Sequence, residues 1–367
     1  MRAESRTGTT RRRLTRLLVV ELLVVWLIHQ LAAGAATMPD TIAALPYWSV
    51  GVGDSAITNA DSLTAVSPWL YGIEADGRVS WHPAAVEADW REQIHRMREE
   101  GLAIIPTIAN VFDGKWREDL ITPILHDPED RRHHVREIVR LVERERYQGI
   151  DIDYEELRAV DRDAFTAFIR ELADGLHARG KLLSVDVFAK TSDRGYDERN
   201  RAQDYAAIGE AADQVRIMAY DYHWSTSEPG PVAPLPWVRD VLDYATKVIG
   251  VGKIVLGIPL YGYDWAQGTG EPVTWLQAYG RSKDRGAKVV WDQLDESPHF
   301  DYVGDYGIRH EVYFENAYSA SAKFDLARRF HVGGVYLWMF GPEDHLVWSV
   351  LDTHWLARPA GGEVDSG

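Results

Sequence analysis

The run Tyr147-Gln148-Gly149-Ile150-Asp151-Ile152-Asp153-Tyr154-Glu155 decides how the rest of the chain is read. It has the apolar character of a strand, yet every second residue from Asp151 onward is an acid. Side chains alternate across a strand, so Asp151, Asp153 and Glu155 share one face and Ile150, Ile152 and Tyr154 the other. Same-face neighbours stand about 6.5–7 Å apart at their Cα atoms. On an edge strand, such acids would simply face water. In a strand enclosed on both sides, each unpaired charge costs several kcal/mol, so the row shares protons and at least one acid titrates high. A carboxylic acid held protonated near neutral pH is equipped to act as a general acid.

The flanking sequence chooses between the two. Strand-like apolar runs recur at Leu45–Val50, Val66–Tyr71, Leu102–Ile108, Gly149–Tyr154, Leu182–Phe188, Val215–Tyr220, Ile254–Leu260 and Gly333–Met339. Amphipathic helical stripes lie between them. Phe165, Phe168, Ile169, Leu172 and Leu176 recur with helical period before Gly180. Val135, Ile138, Val139 and Val142 form a second stripe, and Val86, Trp90, Ile94 and Met97 a third, closed by Gly101. Alternating strands and helices of this number predict an α/β chain folded as a (β/α)8 TIM barrel, in which the acid-bearing strand is fourth and has no edge. Residues 262–318 exceed what one helix needs. Alternating runs at Lys288–Trp291, His299–Val303 and Arg309–Phe314 predict a small α+β insertion between strands 7 and 8. It belongs at the C-terminal rim, where barrel loops build active sites. The barrel is expected over residues 41–358, and the Gly- and Ala-rich end, 359–367, as a fraying tail.

The 367 residues carry 40 basic and 56 acidic side chains, a net charge of −16. That balance excludes a nucleic-acid binder, which needs basic patches for phosphate. The absence of cysteine excludes a disulfide framework, thiolate zinc sites and a cysteine nucleophile. No cofactor is called for. Residues 1–40 have the layout of an export segment: six arginines, Arg2 to Arg16, then an apolar run from Leu17 to Leu31, then Ala33-Gly34-Ala35. Glu21 and His29 weaken that run as a membrane helix, since a charge at a helix centre costs about 2.5–3.5 kcal/mol on insertion. The segment therefore predicts export, with a cleaved signal favoured over a retained membrane anchor, and an extracellular or cell-envelope site of action.

The acid row resembles the signature of glycoside hydrolase family 18, the chitinases and related N-acetylglucosaminidases, whose pattern is Asp-Gly-x-Asp-x-Asp-x-Glu on strand 4. Met218-Ala219-Tyr220-Asp221 resembles the family's Met-x-Tyr-Asp on strand 6. Leu256-Gly257-Ile258-Pro259-Leu260-Tyr261-Gly262 resembles its strand 7, and Gly333-Gly334-Val335-Tyr336-Leu337-Trp338 its strand 8. The likeness spans about residues 44–352. Around Val312–Asn316 it is nearer to spore-cortex-lytic and peptidoglycan-acting members than to fungal-type chitinases. It implies retaining, substrate-assisted hydrolysis of β-1,4-linked N-acetylglucosamine glycosides in peptidoglycan, spore cortex or chitin oligomers, an exception to the two-carboxylate scheme.

By the same resemblance Glu155 is the catalytic acid and base, Asp153 orients the acetamido group, and Asp151 shares a proton with Asp153. Tyr220, Asp221 and Met218 surround the sugar, and Trp338 forms its floor. Tyr47 is expected as a neighbour of Asp151, and Trp69 as a wall of the sugar site. The motif's first acid is Gln148 here, which predicts an altered pH profile through Asp151. A catalytically inactive, lectin-like barrel of the same family is the alternative function. The intact Asp151, Asp153 and Glu155 weigh against it. Several of the 14 tryptophans, Trp48, Trp224 and Trp265 among them, stand near strand ends where sugar stacking is natural. His133, His134 and Glu137 have a helical spacing open to metal, but the arginines around them read as a solvated face, and no metal is expected.

Overall fold

The computed structural model describes residues 39–49, 51–74, 76–82, 90–339, 341 and 343–356. The expected export segment falls outside this set except for its last two positions, and the expected tail and Val86 of the third stripe fall outside it too. No helix among the described residues is long and apolar enough to cross a membrane.

Eight parallel strands form a closed ring. They are β1 (Asp40–Pro46), β2 (Ala65–Ile73), β3 (Ala103–Ile104 and Thr107–Ala109), β4 (Gly149–Asp153), β5 (Leu182–Phe188), β6 (Gln214–Met218), β7 (Ile254–Pro259) and, last in the chain, Gly334–Trp338. Each pairs with the next, and the last returns to β1 through Asp40 opposite Gly334, closing a (β/α)8 barrel. Helices such as Pro128–Arg144 and Arg162–His177 cover the outside. Their apolar stripes meet the outward residues of the strands, so Ile150, Ile152 and Tyr154 pack in one core with Phe165, Phe168 and Leu172. Backbones approach closely at Gly149, where an added Cβ would stand 2.4 Å from the carbonyl oxygen of Leu182.

Two strand positions differ from the sequence reading. The first strand begins at Asp40, five residues before the expected Leu45, and residues 47–49 turn out of the sheet. Thr41, Ala43 and Ala44 are small, so the strand shows only isolated bulky apolar side chains, Ile42 and Leu45, instead of the run that periodicity detects. The third strand is broken between Ile104 and Thr107, where Pro106 offers no N–H to the ladder.

Two sets of side chains fill the barrel interior. Ile42, Ala44, Ala65, Ile105, Val255 and Tyr336 form an apolar cluster. Beside it lie buried polar residues from five strands: Ser67, Thr107, Asp151, Asp153, Asp186 and Arg216.

The insertion follows β7. Its strands are β8 (Tyr261–Ala266), β9 (Thr269–Thr274), β10 (Val290–Asp292), β11 (Ser297–Val303) and β12 (Arg309–Phe314), joined antiparallel in the order β9-β8-β12-β11-β10. The sequence reading contained the last three and missed the hairpin of β8 and β9, although Tyr261, Tyr263 and Trp265 alternate along β8. One face of this sheet packs Val273, Phe300, Val312 and Phe314 against Ala278 of the helix Trp275–Asp284. The barrel resumes with the helix Ala317–Arg329 and then β13, the strand Gly334–Trp338.

Candidate active site

The acids of β4 climb from the interior to the mouth. Asp151 is fully buried, Asp153 is 6% exposed, and Glu155, just past the strand end, is half-buried. Glu155 is held by its backbone: its N–H donates to Asn110 Oδ1 at 2.8 Å, and its carbonyl accepts from Asn110 Nδ2 at 2.9 Å. The buried Asn110 follows β3, so two adjacent strand ends fix where the acid stands.

Asp151 accepts from Thr107 Oγ1 at 2.9 Å and lies 3.2 Å from Arg216 Nη1. Asp153 Oδ2 accepts from Trp69 Nε1 at 3.3 Å, while its Oδ1 has no partner. Burial, with the nearby Asp151 charge, pushes the Asp153 carboxyl up to about 7. Burial, with the neighbouring Asp153 charge, also carries Glu155 well above the usual carboxylate range. One enclosed row thus holds an ion-paired acid at its base and proton-retaining acids above it.

Asp153 and Glu155 open into a cleft of about 1130 Å³ at the C-terminal mouth, lined also by Tyr47, Trp69, Met218, Tyr220, Asp221 and Trp338. Asp221 adopts a left-handed backbone (φ 54°), which an Asp tolerates better than most side chains. Its Oδ1 accepts from the hydroxyls of Tyr261 and Tyr263, the latter at 3.0 Å, so the insertion helps build this wall. The ring of Tyr220 lies against Gly257 of β7, where an added Cβ would stand 2.8 Å from it. A smaller pocket of about 270 Å³ continues from Asp221 and Trp338 along Tyr261, Thr274 and Gln277 of the insertion.

Three expectations need correction. Tyr47 is not a partner of Asp151: it stands in the turn after β1 and stacks at the rim on Trp69 and His82, at ring distances of 6.1 and 4.8 Å. Gln148 is exposed at the opposite end of the strand, where its Oε1 accepts from the Ile104 N–H at 2.9 Å. It has no contact through which to act on Asp151. His134 is not on a solvated face. It is buried, with Nε2 2.7 Å from the Tyr154 hydroxyl, and burial lowers its pKa to about 4. Trp48 and Trp224 border the cleft, whereas Trp265 is buried and donates to the Trp224 carbonyl at 3.2 Å. Among the described residues, no group of three His, Cys, Asp or Glu is arranged to hold a metal ion.

Sequence reasoning missed Asn110, Thr107, Asp186 and Arg216. For the last two a signal existed. Each is a lone charged residue inside an apolar strand, Leu-Leu-Ser-Val-Asp-Val-Phe and Gln-Val-Arg-Ile-Met, and each has the parity that points inward.

The family model described as Glycosyl hydrolases family 18 matches residues 88–343. The cortical fragment-lytic enzyme of Bacillus subtilis is 34% identical over 258 residues, covering 69% of this chain and 60% of that one. The chitinase from Chromobacterium violaceum superposes with a TM-score of 0.81 at 30% identity, covering 87% of this chain and all of the other. The Bacillus cereus spore cortex-lytic enzyme superposes with a TM-score of 0.79 at 26% identity, covering 88% and 75%. The chain spans 65% and 60% of the length of two curated Bacillus subtilis relatives that it matches.

Proposed function

Because the chain belongs to family 18 of the glycosyl hydrolases, we propose that it is a glycosidase that hydrolyses β-1,4-linked N-acetylglucosamine glycosides with retention. The observation that carries this reading is the burial ladder on β4, with an ion-paired Asp151 at its base and a proton-retaining Glu155 at the cleft.

In this mechanism Glu155 gives its proton to the glycosidic oxygen as the bond to the anomeric carbon breaks. The substrate's acetamido carbonyl oxygen forms the new bond to that carbon, giving an oxazolinium ion. Asp153 orients the acetamido group, and the negative charge that it shares with Asp151 offsets the growing positive charge. The ionised Glu155 then takes a proton from water, whose oxygen attacks the anomeric carbon from the face the leaving group vacated and restores the acetamido group. Tyr220 and Asp221 hold the acetamido end, Trp338 supports the sugar face, and Trp69 orients Asp153 through its indole N–H. Met218 packs beside them.

The substrate class is a neutral or mixed N-acetylglucosamine polymer, peptidoglycan or spore-cortex glycan ahead of chitin oligomers. Likeness to a cortical fragment-lytic enzyme and to a chitinase supports both members of that class. Such polymers lie outside the cytoplasm, in keeping with the basic and apolar N-terminal sequence and an extracellular or envelope site of action.

The test sets the wild-type chain beside Glu155→Gln, with N-acetylglucosamine oligomers and purified peptidoglycan, and identifies products by mass spectrometry. Cleavage by wild type, falling at least about a hundredfold in the variant, is expected. Binding by both proteins with cleavage by neither would replace the glycosidase reading with a lectin one.

A further inference from the structure

Arg216 stands where a small-molecule site is least tolerant of an unexplained charge. It is fully buried, in the middle of β6, directly in register with Asp186 of β5. Its Nη1 donates to Ser67 Oγ at 2.7 Å and lies 3.2 Å from Asp151 Oδ2, and its guanidinium sits 4.8 Å from the ring of Tyr336. Its Nε and Nη2 make no hydrogen bond, and neither does Oδ1 of the equally buried Asp186. Asp186 reaches the cleft wall beside Asp153 and Glu155.

The guanidinium keeps its charge at every relevant pH. Three buried carboxyl groups feel its charge, Asp151 and Asp153 of the β4 row and Asp186 from β5, whereas Glu155, half-buried and higher in the row, faces Arg199, Glu156 and Asp221. Tyr336 faces the guanidinium from β13 and Asp40 from the start of β1, and Tyr220, after β6, faces Asp186. One buried cation cannot balance three buried carboxylates, because each uncompensated charge costs several kcal/mol. Asp151 is the member in direct contact with the guanidinium.

We propose that Arg216 and Asp186 are positioning residues that set the proton count of the catalytic row: Arg216 holds one negative charge beside it at the base of the row, and Asp186 is a fourth acid that carries a proton in the resting site. Burial and the nearby charges of Asp151 and Asp153 act on Asp186 in the required direction, raising its pKa. Around Arg216 the resting site then holds one negative charge, with protons retained by the other acids. Its proton inventory is set partly by residues that do not touch the scissile bond.

The kinetic half of the test rests on the glycosidase reading, and the spectroscopic half does not. The pH dependence of kcat/KM on an N-acetylglucosamine oligomer is measured for wild type, Arg216→Lys, Arg216→Met and the double variant Arg216→Met with Asp186→Asn. Removing the cation leaves four acids competing for negative charge, so Arg216→Met is expected to move both limbs to higher pH by about one unit or more. Arg216→Lys keeps the charge and holds the limbs near their wild-type positions. The double variant, with one acid fewer, returns part of the way. A role in packing alone would lower stability and kcat while leaving the limbs in place, and that result would overturn the assignment.

Infrared difference spectra of the free protein, wild type against Asp186→Asn, provide the second readout. A protonated-carboxyl band present at neutral pH and reduced in the variant supports the proposal even if no glycan is cleaved. A band of unchanged intensity in the variant, or its absence from wild type, removes Asp186 from the scheme.

Discussion

At the scale of single residues, the site is a problem in charge and burial that the chain resolves by holding protons. Asp153 shows the sign of the effect. Its folded-state pKa, about 7, lies above the ordinary 3.8, so the native state binds its proton more tightly than the unfolded chain does. The stability this gives is fully present below 3.8 and is lost as the pH rises towards 7. Asp153→Asn removes the loss. Thermal unfolding should show the variant above wild type by at least about 2 °C near pH 8. The gap should close below about pH 4, where both chains are neutral at this position. A variant equal to or below wild type at pH 8 would mean that folding does not raise the Asp153 pKa. The three acids were legible because their alternation requires only the geometry of a strand. Arg216 and Asp186 were less so: each is a single residue whose meaning depends on a neighbour distant in the chain. Asn110 left no trace, since a side chain bonding a backbone 45 residues away has no local pattern.

Elements obeyed their periodicity where burial was one-sided and long. The helices Pro128–Arg144 and Arg162–His177 follow their apolar stripes. The small residues Thr41, Ala43 and Ala44 hid the start of β1, and the β8–β9 hairpin was missed because only Leu260 separates β8 from β7, leaving no turn signal between them. Capping supplies a sharper signal. Asn316 begins the helix that leads back into the barrel, accepting from the N–H groups of Tyr318 and Ser319, both at 3.0 Å, while Ser319 Oγ accepts from its own N–H. Asn316→Ala should cost about 1 kcal/mol in a urea titration, with an unchanged slope. A loss within error of zero would show that water replaces the cap at no cost. The same helix start marks the end of the insertion, so the sequence Phe314-Glu315-Asn316 is both a boundary and a cap.

For the whole molecule, the insertion is joined to the barrel by a buried ion pair. Lys323 Nζ donates to Glu315 Oε2 at 2.8 Å, with both side chains fully buried, and the Glu315 N–H donates to the Tyr261 carbonyl at 3.0 Å, across the neck of the insertion. Breaking one partner leaves the other charge stranded. Lys323→Met should therefore destabilise the protein by about 3–5 kcal/mol in denaturant titrations. The double variant Lys323→Met with Glu315→Leu should recover most of that loss. Recovery would identify the pair as a mutual compensation, and its failure would show that the neck needs the ions themselves. Since Tyr261 and Tyr263 reach from the insertion to Asp221, loosening this joint bears on the cleft as well as on stability.

The buried polar cluster has one further consequence. Asp151 and Arg216 are fully buried, while Asp153, Glu155 and Asp186 line the cleft. On the proposed reading, a polymer seated across the cleft covers the acids that line it and narrows their access to bulk water. The acidity of the medium would then act more on which molecules are loaded correctly than on what happens after loading.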